Sequence, residues 1–428
     1  MTVKKTDILI YYDYNLHYNN MPNRKEKEQS KFRISFKHKI VGFIGVVLLI
    51  ILPSSVLIFF NTQAQNKIQS LSSNLSDSQS KSSDLESQLA QVQIDLDNLK
   101  NEDQYKRNEA LQREIDNIQK TYNKAVVAYD DLVELSTKIK DPSEMEELFA
   151  DILSKLAKRE FVEADSQISE LNKNIASEEA AIATAFVIPE NVPVVNTPPG
   201  SGYSRQTVSI DIGQYLVSIV AADLGSTRVI VDTASTSDCG NDCPVLPLSE
   251  YVSRNGAYAG INGTYFCPAS YASCAGKTNT FDLLVMNKDK YYFNSGNNVY
   301  SNNPAVIFGS GYIRFVTAAS QWGRDTGADG VLSNYPLTVF NSQVNFGGDD
   351  DPKKGSKGGR SFVGNIGNTV YIGVVHNATV AEAGRVLQAM GMENALNLDN
   401  GGSTALYSGG YKVGPGRNLP NVILFVAK

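Results

Sequence analysis

The stretch TVYIGVVHNATVAEAGRVLQAMGMENALNLDNGGST, residues 369–404, reads as a strand, a helix, a second strand and a glycine turn. β-Branched and aromatic residues dominate TVYIGVVH, as a buried strand requires. Thr379 and Glu382 then form a capping box, Ala383, Val386, Leu387 and Met390 share one helical face, and Gly391 supplies the stop. NALNLD returns to strand character and ends on one acid, Asp399. Residues leaving the carboxyl end of such a second strand tend to build a site, so Asp399 is the first candidate for chemistry.

The turn after Asp399 strengthens the case. Gly401 and Gly402 permit positive φ and close approach of a ligand to the backbone, and successive N–H groups there can form an anion nest. Ser403 and Thr404 add donors. A carboxylate beside a nest suits a substrate with one anionic group to hold and one electrophilic carbon to attack. The segment is no Walker loop, since no GK[ST] follows, and no EF-hand loop, since DxDxDG is absent. A purely structural reading also stands at this point: Asp399 caps the turn and the glycines make a tight hairpin.

Around this unit, residues 205–428 alternate strand-like runs (QYLVSIVAA, TRVIVDT, FDLLVMN, AVIFG, YIRFV, VILFVAK) with Gly, Asn and Asp turns. The whole chain is therefore expected to be an α+β mixed-sheet C-terminal domain on an α-helical coiled-coil stalk, with one N-terminal transmembrane helix. Residues 40–60, IVGFIGVVLLIILPSSVLIFF, carry no charge and match a bilayer in length. Lys and Arg cluster before them, so the positive-inside rule puts the tail 1–39 in the cytoplasm and the remainder outside, a single-pass membrane protein. Between 62 and 140 apolar residues follow a heptad seam: Ile68, Leu71, Leu75, Leu85, Leu89, Val92, Leu96 and Leu99, then, after a stutter near residue 105, Leu111, Ile115, Ile118, Tyr122, Ala125, Tyr129 and Leu132. That pattern suits a rod or a homodimer, and equally a solvated helical spacer. Two amphipathic helices within 143–187 read as a hairpin, and the Pro-rich 188–204 as an extended linker.

The formal net charge is −6, and the C-terminal domain carries equal numbers of acids and bases, which excludes a nucleic-acid footprint. Four cysteines cluster as CGNDC and CPASYASC. With no CxxC pair and one histidine in that domain, disulfides are the better reading than zinc. Local pairing of Cys239 with Cys243 and Cys267 with Cys274 competes with a cross-pairing of the two loops. No cofactor is implied, although Asp349, Asp350 and Asp351 in GGDDDPKKGSKGG are the acidic run to consider as ligands of a divalent cation, in a loop that also reads as a lid before Arg360. Tyrosines 251, 258, 265, 271, 291 and 292 are candidates for stacking on sugar rings.

Five pieces occur in order: AGINGTYF (259–266), GGRSFVG (358–364), the strand and helix of 370–391, ALNLDNGGST, and GRNLPNVILFV (416–426). Together they resemble the phosphodiester glycosidase family over about residues 205–428. The resemblance implies an α and β domain that cleaves a sugar from a phosphodiester, releasing free sugar and a phosphomonoester. It places Asn262 and Gly263 at a substrate-binding strand end, and Arg360 and Arg417 as arginines of the site. Asp399, Gly401, Gly402 and Ser403 fall on its acidic turn, with Thr404 beside them, and Asn421 closes the pattern. Asn400 departs from it by standing where a further Gly is usual, Thr264 departs next to Gly263, and His376 with Asn377 occupies a strand end where Asp and Gly are common.

A phosphate diester leaves as a stable anion, so one carboxylate can suffice where other glycosidases need two. Asp399 is the expected nucleophile or base, with Arg360, Arg417 and the turn N–H groups holding phosphate. The expected partner is a glycan or sugar-phosphodiester substrate of the envelope or extracellular space. A non-catalytic glycan-binding module and a coiled-coil envelope scaffold are the alternatives.

Overall fold

A computed structural model describes residues 39–324 and 327–428, with side chains from residue 57 onward except those of 58, 101 and 103. It divides into two compact units, Met1–Arg107 and Asn108–Lys428.

The first unit is helical. One helix runs Lys39–Asn101 and the next, Asp103–Ser136, starts in this unit and continues into the second. Their junction falls where the heptad seam breaks. Leu71, Leu75, Leu85, Leu89 and Leu99 are all exposed along the first helix. Among the described residues no helix is long and apolar enough to cross a membrane. This overturns the transmembrane helix at 40–60 and with it the single-pass topology. Of that segment the described side chains are Leu57, Phe59 and Phe60, and Asn61, Thr62, Gln63 and Gln65 follow at once, so the described apolar length falls far short of the ~20 residues a span needs. The tail 1–39 lies, but for Lys39, outside the described residues. Both disulfides of the C-terminal domain fit an oxidising, extracellular setting.

In the second unit the end of Asp103–Ser136 packs with Ser143–Ala157 and Phe161–Ala185 around Ala128, Leu132, Leu135, Ile152, Leu156, Ile168 and Leu171. Asp141 accepts from the Ser143 N–H at 3.1 Å and so starts the second of these helices. The Pro-rich segment is extended but not free. The Val195 N–H donates to the Thr207 carbonyl at 2.9 Å, and Gln206 Nε2 donates to the carbonyls of Val195 and Thr197.

Three sheets follow. One has seven strands in the order Gly202–Ile210, Gly213–Asp223, Thr369–Ala378, Gly358–Ile366, Asn394–Asn397, Leu337–Phe340, Gln343–Val344. A second runs Tyr411–Val413, Leu406–Ser408, Ala259–Asn262, Asn421–Ala427, Thr227–Thr233, and a third Tyr292–Phe293, Val285–Met286, Ala328–Ser333, Ala305–Gly309, Tyr312–Val316. Their inner faces meet in one core that includes Ile372, Leu396, Ile261, Ile423, Phe425, Val306 and Phe308.

The sheets are not mixed as expected. Every ladder among the described residues is antiparallel, and Val194 with Thr207 forms an isolated parallel bridge. The strand, helix, strand unit exists, with helix Val380–Ala389 and its capping box intact. Its two strands are not neighbours, however, because Gly358–Ile366 lies between them and pairs with both. The helix covers the outer face of the sheet through Val386, Leu387 and Met390, which buries strands such as Gly213–Asp223 on both faces and explains their unbroken apolar runs.

Candidate active site

Asp399 follows the strand Asn394–Asn397, and its backbone is clamped from the neighbouring sheet. The Asp399 N–H donates to the Gly263 carbonyl at 2.9 Å, and Asn262 Nδ2 donates to the Asp399 carbonyl at 2.7 Å. The other side of the Asn262 amide, fully buried, accepts from Ser361 Oγ at 2.9 Å and the Ala405 N–H at 3.1 Å. Asn262 thus ties three strand ends around the acid. Asn421 holds the residue after Gly263, accepting from the Thr264 N–H and donating to Thr264 Oγ1, both at 2.9 Å. These two asparagines and Gly263 position the turn without lining the pocket.

The turn itself is a short 3-10 segment, Gly401–Ser403. Asn400 has extended backbone, φ −128°, which any residue adopts, whereas Gly401 sits at φ +59°. The replacement of a further Gly by Asn400 therefore imposes no backbone strain. Its side chain is instead a brace: Oδ1 accepts from the Ser361 N–H at 2.9 Å and Nδ2 donates to Asn397 Oδ1 at 3.1 Å. Gly402 makes room for Arg417, whose guanidinium a Cβ at 402 would strike, and the Arg417 N–H donates to the Gly402 carbonyl at 2.8 Å.

Asp399, Asn400, Gly401, Ser403, Arg360 and Arg417 line one cavity of about 340 Å³, at the small end of ligand pockets. Arg360 is buried, and donates through Nε to the Ala378 carbonyl at 2.8 Å and through a terminal nitrogen to that of Ser356. That leaves part of its five-donor fork for the cavity. The Arg417 guanidinium lies 5.1 Å from the Tyr271 ring centre. Tyr265 and Tyr335, rings 5.1 Å apart, form an aromatic wall, and Asn397 Nδ2 donates to the Tyr265 hydroxyl at 2.7 Å. Burial pushes the Asp399 carboxyl up to about 7, against the hydrogen bonds from Ser403 and the Asn400 N–H and the charge of Arg417.

The loop GGDDDPKKGSKGG forms the rim. Lys354 reaches Asp349 at 2.5 Å and Asp351 at 3.4 Å, so the acidic run is neutralised by a lysine, and Asp351 caps the short helix Pro352–Gly355. Among the described residues no group of His, Cys, Asp and Glu could hold a metal ion. The four cysteines pair locally, Cys239 with Cys243 and Cys267 with Cys274.

Two expected residues stand elsewhere. His376 bonds Ser218 Oγ at 3.0 Å and stacks on Phe186, outside the cavity, and burial followed by the charge of Arg205 pushes it down to about 4. Thr404 turns inward, donating to the Gly359 carbonyl at 3.3 Å.

Sequence reading missed the helical wall. Asp131, Glu134, Lys138, Ile175 and Glu179 line the same cavity. The Tyr271 hydroxyl donates to Glu134, and Asp130 accepts from the Ala272 N–H at 2.7 Å and from Ser273. Lys353 pairs with Asp131 at 3.4 Å. Acids at these positions look like the solvated face of any stalk, so no sequence signal singled them out. A larger cavity of about 560 Å³ between Asp103–Ser136 and Ser143–Ala157 is lined mainly by Tyr122, Val126, Tyr129, Phe149 and Leu153, an apolar setting with nothing to act on a phosphate.

Residues 255–426 match the family model for phosphodiester glycosidase. No curated protein matches the chain. Among solved structures, the chain is similar to a hypothetical protein from Synechocystis at 13% identity and TM-score 0.37, covering 53% of this chain and 62% of that one. It is similar to the catalytic domain of zebrafish N-acetylglucosamine-1-phosphodiester alpha-N-acetylglucosaminidase, auto-inhibited by pro-peptide, at 13% identity and TM-score 0.41, covering 55% and 87%. An exported protein from Burkholderia pseudomallei is similar at 12% identity and TM-score 0.31, covering 50% and 74%.

Proposed function

We propose that the phosphodiester glycosidase domain at residues 255–426 makes this chain a hydrolase that cleaves the bond between a sugar's anomeric carbon and the phosphate of a sugar-1-phosphodiester. The observation that carries the reading is the meeting of Asp399 with Arg360, Arg417 and the Gly401 turn in one polar cavity. Arg360, Arg417 and the turn N–H groups hold the phosphate and stabilise the charge that gathers on it as it departs. Tyr265 and Tyr335 supply the apolar wall for the sugar ring.

The position of Asp399 refines its role. With its carboxyl pushed up to about 7, it enters the reaction near neutral pH with a large share of its population protonated. A group of that acidity matches a departing phosphomonoester, whose second pKa is about 6, which supports Asp399 as the acid on the leaving oxygen in place of the nucleophile or base expected from the sequence. The envelope or extracellular glycan class remains the proposed substrate source, supported by the two disulfides. The exposed heptad leucines of Lys39–Asn101 support a second copy of the chain as the partner of that helix.

The test is sugar release by the full chain from a panel of sugar-1-phosphodiesters, with Asp399→Asn beside it. Turnover that collapses in the variant is expected. Absence of turnover by folded, disulfide-intact protein across the panel would leave a glycan-binding module in its place.

A further inference from the structure

We infer that Glu134, on the helix Asp103–Ser136 and outside the matched segment 255–426, is the second catalytic carboxylate of this cavity, the base that activates the attacking water. The inference rests on the glycosidase reading of the same cavity. It makes the helical region part of the active site.

The carboxylate is held in place from several sides. The buried cluster containing Leu132 and Leu135 anchors its helix from behind. One turn earlier, Asp130 binds the Ala272 N–H and Ser273, and Asp131 pairs with Lys353. Glu134 itself accepts from the Tyr271 hydroxyl and pairs with Lys138 at 3.2 Å, leaving its side chain 21% exposed. It lies against Gly401, where any Cβ would overlap its Oε1. A catalytic group fixed by packing and by its own partners is preorganised for one geometry.

Hydrolysis needs a proton acceptor for water, and the other acids of the cavity are unsuited. Asp399 keeps much of its proton near neutral pH, Asp351 caps the rim helix Pro352–Gly355, Asp131 pairs with the rim Lys353, and of these acids Glu134 is the one packed on the Gly401 turn beside Asp399. Burial acts upward on Glu134 too, but Lys138, Tyr271 and Arg417 outweigh it and hold the carboxyl below its usual range. Two carboxyls of one cavity with opposite shifts are the pattern of an acid and a base.

Water oxygen bonds to the anomeric carbon while its proton passes to Glu134. The carbon–oxygen bond to phosphate breaks, its electron pair stays on the phosphate oxygen, and that oxygen takes the Asp399 proton. Both carboxyls then exchange protons with solvent. The groups facing Glu134 are Asp131 and Lys138 on its own helix, Glu179 on Phe161–Ala185, Tyr271, Arg360, Arg417 and Asp399.

The test is kcat/KM against pH for full-length wild type, Glu134→Gln, Glu134→Ala, Glu134→Asp and Asp399→Asn, using the methyl diester of N-acetyl-α-glucosamine-1-phosphate. Glu134→Gln should lose about 10²-fold or more and its acid limb, while keeping the alkaline limb near pH 7. Glu134→Asp, which retains a carboxylate one methylene further back, should keep the acid limb at reduced kcat. Formate should restore part of the activity of Glu134→Ala. If Asp399→Asn is inactive while Glu134→Gln matches wild type, the glycosidase reading stands and the assignment of Glu134 falls. A Glu134→Gln faster than wild type would make Glu134 an occupant that blocks the phosphate site, which also overturns the inference. Inactivity of wild type and Glu134→Gln alike, on this diester and across the panel of sugar-1-phosphodiesters, would remove both readings together.

Discussion

Glu134 and Gly401 are in contact across the mouth of the cavity, although 267 positions separate them in the chain (401 − 134). Gly401 also sits at φ +59°. Gly401→Ala should therefore cost roughly 1–2 kcal/mol from the left-handed backbone alone. It should also displace Glu134, lowering kcat/KM by about tenfold or more. Thermal unfolding and steady-state kinetics on one preparation check both; unchanged kinetics would show that Glu134 does not need its present place.

Asp399 should destabilise the fold as pH rises. Its folded pKa, about 7, lies above the usual 3.8, so its contribution to stability is fully present below pH 3.8 and is lost as pH rises through about 7. An asparagine side chain at this position cannot ionise. The Tm of Asp399→Asn relative to wild type should climb between those two values and level off above, as measured by calorimetry in a pH series; a flat difference would contradict the buried, proton-retaining carboxyl.

Asn400→Gly should weaken the protein rather than improve it. The backbone at 400 is already extended, and glycine would remove the bonds to the Ser361 N–H and to Asn397. At about 1 kcal/mol each, with about 0.5–1 kcal/mol for added chain freedom, the loss should be about 2–3 kcal/mol. Urea denaturation measures it, and a stabilised, more active variant would refute the bracing role.

His376→Gln should leave kcat/KM unchanged and lower Tm, because the ring bonds Ser218 and stacks on Phe186 away from the cavity. Loss of turnover at unchanged Tm would return His376 to the site.

Replacing Leu85 and Leu89 together by Asn should abolish concentration-dependent association of the full chain, since both are exposed on the heptad seam. Sedimentation equilibrium reads this directly. A wild type that stays monomeric at all concentrations would dismiss the second copy.

Local chemistry made much of this legible. The capping box at Thr379 and Glu382, the proline-marked helix start at Ser143, the heptad break near residue 105 and the acidic turn at Asp399 are all written in a few adjacent residues. What stayed hidden depends on distant partners. Short strands such as Ala259–Asn262 and Leu406–Ser408 carry little periodicity and form because neighbours complete them. Gly358–Ile366 slips between the two strands of the helical crossover, an insertion that no spacing announces. Glu134 looked like a stalk residue because its helix is amphipathic toward two other helices, and only packing turns its polar face to the turn at Gly401.

The Cys267–Cys274 loop carries a further consequence. Between its two cysteines lie Tyr271, which touches Glu134 and Arg417, and Ala272 and Ser273, which Asp130 holds. The three sheets can assemble from their own apolar faces, but the wall that joins acid to helix is clipped by a covalent bond made after translation. One short covalent clip therefore holds both the hydroxyl that meets Glu134 and the ring that faces Arg417, so the rigidity of this wall is local to the loop and does not depend on the sheets.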